Sequence, residues 1–261
     1  MKLRVYACQY DIVWESPEDN RRKVETLLEK ARPVAHSLIV LPEMFAVGFS
    51  MDTAKVAEPP SGAAFTFLRE MARRWRCHVV GGVPVRQGGR HTNEAVCFDA
   101  HGRLSTRYAK THVFNPGGEG KHYHRGSSLR LFSWRGVKVA PFVCYDLRFP
   151  EIFGTVRRRG AELMVVIASW PARRDAHWRT LLRARAIENQ AYVLGVNRIG
   201  TDPHSEYAGN SSLHAPNGDL VAFAGAREGT LAADLDIAQC RAYRRGFPVF
   251  KDRRRFLRVV A

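Results

Sequence analysis

Short apolar runs alternate along this chain with stretches of helical period. Val5–Gln9, Ser37–Leu41, His78–Pro84, Asn93–Asp99 and Leu104–Ala109 read as strands. Leu129–Trp134, Val137–Val143, Leu163–Ala168, Tyr192–Asn197, Asn210–His214, Leu220–Phe223 and Thr230–Leu235 continue the series. Between them, Ser16-Pro17-Glu18-Asp19 has the form of a helix start, and Val24, Leu27, Leu28 and Ala31 make one apolar stripe toward Ala35. Further helices are predicted over Gly62–Arg76, after Phe149-Pro150, and around His177–Asn189. Asp99-Ala100-His101-Gly102 and Arg135-Gly136 mark hairpin turns, and Thr111–Ser128, rich in Gly, Pro and His, reads as a loop.

Interleaved helices and strands with several hairpins predict α/β layers on mixed sheets. The strands are too many for one sheet, so two sheets stacked between helices is the expected packing. No repeat and no Pro/Gly/Ser-rich linker divides the 261 residues. One domain over 1–261 is expected, with a basic C-terminal segment from about 237. The longest apolar stretch, Leu163–Ala168, is far below the roughly 20 residues of a membrane span. Met1–Gln9 lacks the character of a secretory signal. Cys8, Cys77, Cys97, Cys144 and Cys240 are odd in number, scattered, and form no Cys-x-x-Cys pair. A reducing, cytoplasmic setting is therefore expected.

The formal charge is +16, from 33 Arg and 8 Lys against 25 acidic residues. Arg157-Arg158-Arg159 and Arg253-Arg254-Arg255 are basic runs. Such charge invites a nucleic-acid reading, but no RNP motif, helix-turn-helix or zinc finger accompanies it. A solvated arginine-rich surface is the simpler reading, and nucleic acid is not an expected partner. A positive field would still draw small anionic substrates.

Three segments set a reactive side chain at the end of an apolar strand, where α/β sites assemble. They are Leu38–Phe45 with Glu43, Arg107–His112 with Lys110, and Val139–Pro150 with Cys144. Each has a plain alternative. Glu43 could cap a helix, Lys110 could be solvated, and Cys144 could be a buried small hydrophobe. His122, His124 and Cys144 could suggest a metal, but no structural-zinc spacing is present, and no metal is expected. No dinucleotide fingerprint or P-loop occurs, so no cofactor is expected.

Taken together, the chain resembles the nitrilase superfamily of carbon–nitrogen hydrolases. The resemblance runs from about Leu3 to Asp236. Leu41-Pro42-Glu43, Tyr108–Phe114, Cys144–Glu151, Ala168-Ser169-Trp170-Pro171 and Ala184–Val193 carry it. It implies a four-layer α-β-β-α sandwich and assembly into a homodimer or larger oligomer. The similarity is greatest to the omega-amidase branch, which cleaves the terminal amide of 2-oxoglutaramate and 2-oxosuccinamate. By this resemblance Cys144 is the nucleophile, Glu43 the general base and Lys110 the oxyanion stabiliser. A further family glutamate lies seven residues before a glycine, which fits Glu119 and Gly126.

The chemistry suits those residues. A thiolate attacks an amide carbonyl and leaves a hydrolysable thioester. A carboxylate can take the thiol proton and return it to departing ammonia. A cation about 4 Å from the oxyanion is worth roughly 4 kcal/mol at an effective dielectric of about 20. The same cation would lower the thiol pKa by roughly three units, with Glu43 and Glu119 opposing it. The Tyr145 backbone N–H could be the second oxyanion donor. A small anionic amide needs a cation for its carboxylate. Arg148 is the first candidate, although it could instead pair with Asp146 or Glu151. Trp170 and Tyr145 could wall the pocket or fill the core, and Arg173, Arg174 and His177 are further anion-binding candidates. Two alternatives are an amidase of the same family acting on an N-carbamoyl amine or modified glutathione, and a non-catalytic basic nucleic-acid binder.

Overall fold

The structure, a computed structural model, describes residues 2–254. In chain order the strands are β1 (Lys2–Gln9), β2 (Leu38–Val40), β3 (His78–Gln87), β4 (Arg90–Phe98), β5 (Leu104–Ala109), β6 (Phe132–Trp134) and β7 (Val137–Val143). They continue as β8 (Leu163–Ala168), β9 (Tyr192–Asn197), β10 (Ile199–Thr201), β11 (Glu206–Ala208), β12 (Ser212–His214), β13 (Leu220–Phe223) and β14 (Gly229–Asp236). The helices are α1 (Pro17–Ala31), α2 (Thr53–Val56), α3 (Ala63–Trp75), α4 (Pro150–Arg158), α5 (Asp175–Asn189) and α6 (Ile237–Gly246).

Two six-stranded mixed sheets result, ordered β14-β1-β2-β3-β4-β5 and β13-β12-β9-β8-β7-β6. Each has three parallel central strands, β1-β2-β3 or β7-β8-β9, flanked by antiparallel ones. Side-chain alternation sorts the first sheet into its two faces. Leu3, Val5, Ala7, Leu38, Val40 and Val80 face the second sheet, while Tyr6, Cys8, Ile39 and Val79 pack with α1 and α3. In the second sheet all six residues of β8 are buried, as a strand covered on both faces requires. The expected α-β-β-α layering follows. The Trp134 indole N–H donates to the His36 carbonyl at 3.0 Å and ties the sheets together.

Several predicted boundaries shift. α1 stops at Ala31 because Arg32 turns left-handed (φ 45°) just before Pro33. β3 and β4 are longer than predicted and join through Gly88-Gly89, both at positive φ. Only Phe132–Trp134 of the predicted Leu129–Trp134 strand is extended. The Thr111–Ser128 loop contains two 3₁₀ turns, Asn115–Gly117 and Glu119–Lys121. The basic segment from 237 opens with α6, capped by the Asp236 carboxylate, while Arg255 and Arg258 lie outside the described residues. Among the described residues no helix is long and apolar enough to cross a membrane.

Gly82 fixes how β3 approaches the turn after β2. Its N–H donates to the Pro42 carbonyl at 3.1 Å and its carbonyl accepts from Phe45 N–H at 3.0 Å. A Cβ there would lie 2.5 Å from Glu43 Cα. Gly82→Ala should therefore cost roughly 1–3 kcal/mol or more through forced backbone movement. Gly88→Ala meets nothing within 4 Å and should cost only the left-handed conformation, about 1 kcal/mol. Denaturant midpoints compare the two variants, and Gly82→Ala should have the lower.

Candidate active site

Five strand ends converge between the sheets. Glu43 follows β2, Asn93 lies on β4, Lys110 follows β5, Cys144 follows β7 and Ser169 follows β8. Glu119 enters from the second 3₁₀ turn of the long loop. All six are buried. Lys110 Nζ lies 2.9 Å from Glu43 Oε1 and 2.8 Å from Glu119 Oε2. Asn93 Nδ2 donates to both carboxylates, at 2.7 Å to Glu43 and 3.0 Å to Glu119. Glu43 Oε2 accepts from the Ser169 backbone N–H at 2.8 Å, and Glu119 Oε2 from Phe114 N–H at 2.5 Å. Every carboxylate oxygen of the cluster thus has a donor, as buried charge requires.

The loop reaches Lys110 because Gly126 closes it. The Gly126 N–H donates to the Lys110 carbonyl at 2.8 Å, and a Cβ on Gly126 would lie 2.2 Å from the Ala109 carbonyl oxygen. A glycine at 126 thus has a steric basis.

Cys144 sits at φ 46°, a left-handed elbow between β7 and the 3₁₀ turn Cys144–Arg148. Such a conformation costs about 1–2 kcal/mol and must be held by its surroundings. Asp146 does much of that holding. Its buried carboxylate accepts from Val143 N–H (3.1 Å), Tyr108 Oη (2.8 Å), Thr111 Oγ1 (2.9 Å) and His112 N–H (3.0 Å). His112 Nδ1 lies 2.9 Å away, and the His112 ring stacks on Phe149. From the other side, the Arg185 guanidinium donates to the Leu147 carbonyl at 2.8 and 3.1 Å.

The Cys144 thiol donates to the Ser169 carbonyl at 3.9 Å, and the Ser169 N–H holds Glu43 Oε2, so thiol and carboxylate meet at one residue. Burial, then the negative charge of Glu43, pushes the thiol pKa well above its ordinary value, with Lys110 pulling the other way. The net downward shift suggested by charge arithmetic on the cation alone is thus reversed by desolvation. Burial also works against the Lys110 ammonium, but Glu119 and Glu43 outweigh it and hold its pKa above the usual lysine range.

The thiol opens onto a pocket of about 380 Å³. Phe49, Phe114, Tyr145, Trp170 and Tyr207 form its apolar walls, and Arg148, Arg173 and Arg174 supply cations. Trp170 both walls the pocket and packs on Trp178 in the core. Arg148 does not pair with Asp146 or Glu151. Its guanidinium lies 4.7 Å over the Trp170 ring and donates to His177 Nδ1 at 3.2 Å. His122 and His124 do not join Cys144, and among the described residues no three His, Cys, Asp or Glu side chains converge as a metal site.

This geometry is that of a shielded thiol beside a carboxyl–ammonium pair, and comparisons with known proteins agree with it. A carbon-nitrogen hydrolase profile matches residues 4–245. The chain belongs to the carbon-nitrogen hydrolase family, part of the nitrilase superfamily. It is 37% identical to an omega-amidase, YafV, of Yersinia enterocolitica, with 98% of each chain covered. It is 34% identical to the 2-oxoglutaramate amidase of Bacillus subtilis, covering 98% of this chain and 100% of that one. A CN-hydrolase superfamily structure from Xanthomonas campestris, with an arsenic adduct in its active site, superposes with a TM-score of 0.92 at 32% identity, covering 99% and 100%. The protein is therefore a hydrolase acting on amides.

Sequence reasoning left Asn93 and Asp146 without roles. Asn93 carried a usable signal. It shares strand parity with Ala95 and Cys97, which face the second sheet, so a polar residue there is buried and needs partners.

Two outcomes follow for this hydrolase. Asp146→Asn places an amide N–H against existing donors. It should lower stability by about 2 kcal/mol and slow Cys144 alkylation, read by denaturant midpoint and iodoacetamide kinetics. The second concerns pH. The fold favours the neutral Cys144 thiol, whereas the unfolded thiol ionises near about 8.5, so this contribution to stability is lost as pH rises above that value. The stability of wild type relative to Cys144→Ala should fall between about pH 8 and 10, at a limiting slope of about 1.4 kcal/mol per pH unit.

Proposed function

We propose that this carbon-nitrogen hydrolase is an omega-amidase that converts 2-oxoglutaramate or 2-oxosuccinamate to the dicarboxylic acid and ammonia. The observation that carries the reading is the buried Cys144 thiol bonded to Ser169, whose N–H also holds Glu43, with Lys110 clasped between Glu43 and Glu119, at the floor of an arginine-lined pocket. The names of the omega-amidase and 2-oxoglutaramate amidase relatives support the substrate class.

In the proposed mechanism Glu43 takes the thiol proton as Cys144 Sγ attacks the amide carbon. Lys110 Nζ and the Tyr145 backbone N–H stabilise the oxyanion. Collapse of the tetrahedral intermediate breaks the C–N bond, and Glu43 passes its proton to the leaving ammonia. Glu43 then deprotonates a water that attacks the thioester, and the thiol is regenerated. Glu119 holds Lys110 in place throughout. Tyr145 and Trp170 wall the substrate chain, and Arg148 receives the substrate carboxylate.

The same reading includes a reducing cytoplasmic setting, supported by five unpaired, buried cysteines. Assembly into a homodimer or larger oligomer is supported by the exposed apolar Leu220, Val221 and Phe223 on β13 and Ile187 on α5.

Ammonia release from 2-oxoglutaramate tests the proposal. Wild type should turn it over, while Cys144→Ala should fall by a factor of about 10⁴ or more. Lys110→Met should lose at least about 10²-fold in kcat. Turnover by Cys144→Ala at the wild-type rate would sink the mechanism, and no release by wild type would remove the substrate.

A further inference from the structure

On the omega-amidase reading above, the pocket must also recognise the far end of its substrate. Most partly buried arginines of this chain are matched by a carboxylate or, as Arg157 and Arg244 are, by backbone carbonyls. Arg107 pairs with Glu94, Arg198 with Asp11 and Asp202, and Arg185 with Glu188 and the Leu147 carbonyl. Arg148 and Arg174 differ. Both are half-buried against the pocket, yet among the described residues neither has a carboxylate within 4.0 Å. Each is instead laid on an aromatic wall, Arg148 over Trp170 at 4.7 Å and Arg174 over Phe114 at 5.3 Å. A guanidinium over an aromatic ring keeps its N–H groups available to donate, and Arg148 spends one of them on His177 Nδ1 at 3.2 Å. The two cations also feel one another. After burial itself, Arg174 is the main cause that lowers the Arg148 pKa.

One carboxylate, Asp202, lines the same pocket, but its oxygens are committed. It accepts from Tyr207 Oη at 2.6 Å and from the His204 and Ser205 N–H groups at 2.8 and 2.9 Å. Buried Arg198 lies 3.5 Å from it. The field left at the pocket is that of the half-buried Arg148 and Arg174 guanidiniums, with the exposed Arg173 as a third cation at its lining.

We propose that Arg174 and Arg148 form a paired-guanidinium clamp that binds the 2-oxo acid head of the substrate and rejects the corresponding 2-amino acid. A carboxylate with a neighbouring carbonyl presents acceptors to both guanidiniums. An ammonium at the same carbon presents only donors and a positive charge, and two cations repel it. Arg148 alone would bind any carboxylate, whereas Arg174 supplies the choice between a 2-oxo and a 2-amino group. The Arg174 side chain can be altered without touching its backbone carbonyl, which accepts from the Trp170 indole N–H at 2.8 Å.

The test measures kcat/KM of wild type and Arg174→Gln on 2-oxoglutaramate, glutaramate, glutamine and butyramide. Arg174→Gln should lose about 10- to 100-fold on 2-oxoglutaramate, mainly through KM, the range expected for one charge-assisted bond. Butyramide should change by less than about two-fold, and the preference for 2-oxoglutaramate over glutamine should fall by at least about ten-fold. Arg174→Lys, which keeps the charge without the fork, should fall between. A loss equal on all four amides, or no loss, overturns the clamp. A wild type that cleaves glutaramate but not 2-oxoglutaramate overturns both the substrate reading and the 2-oxo choice. A wild type that cleaves 2-oxoglutaramate and glutamine equally keeps the reading and overturns the clamp alone. Calorimetry on Cys144→Ala with 2-oxoglutarate and glutamate gives a readout free of turnover, in which equal binding of the two again overturns the clamp.

Discussion

The buried Lys110 ammonium is the constraint around which the rest is arranged. A cation removed from water is costly unless its partners and their remaining hydrogen bonds are all supplied. Glu43 and Glu119 supply the charge, and Asn93, Ser169 N–H and Phe114 N–H supply the other donors to those carboxylates. These groups come from both sheets and one loop. The cluster can form only when the sheets are stacked in register, so the fold and the site specify one another. Gly82 and Gly126 let backbones approach where any Cβ would push Glu43 or the loop away from Lys110.

How much of this was legible in the sequence follows from what each feature depends on. β8 and the turn residues around Cys144 were readable because burial on both faces leaves an unbroken apolar run, and a reactive residue directly after it stands out. Glu43 was readable for the same reason, whereas Lys110 follows the half-exposed β5 and was marked mainly by the family resemblance. Glu119 sits in a loop with no periodicity, so only the family resemblance marked it. Asp146 was in plain view but reads as a surface acid, because its five donors come from β5, the loop after it and β7, which no local pattern brings together. α6 was hidden by its own arginines. Its start is set by the Asp236 cap and its burial rests on little more than Ile237 and Cys240.

The arginine excess also acquires a structural meaning. Arg244 donates to the Gln190 and Ala161 carbonyls at 2.7 Å each, and Arg157 donates to the Asn189 carbonyl at 2.7 Å. These carbonyls lie at or just past the C-terminal ends of α5 and α4, where free acceptors and the negative end of the helix dipole favour a cation. Arg185 does similar work for the Leu147 carbonyl beneath the turn that carries Cys144. Part of the +16 charge is therefore internal scaffolding. Arg148 and Arg174 stand apart because, among the described residues, neither a carboxylate nor a backbone carbonyl takes their guanidiniums.

The protonation of Cys144 decides how these parts can act together in the proposed reaction. Lys110 alone would favour a standing thiolate, but burial and Glu43 outweigh it and keep the thiol neutral. A neutral thiol in a shielded pocket does not react with whatever enters. It becomes a nucleophile only as its proton moves to Glu43, and that transfer adds no net charge to the buried site. The charge of Lys110 is then available for the oxygen on which negative charge develops during attack. Binding an anionic head at the arginines and forming an oxyanion beside Lys110 are two separate electrostatic tasks. In the proposed reaction they fall to cations that differ in surroundings: Lys110 is matched by two carboxylates at rest, while Arg148 and Arg174 lie over aromatic rings with no carboxylate within 4.0 Å among the described residues. On the proposed reading, the enzyme binds its substrate by charge and reserves the Cys144 thiol for an amide already in place.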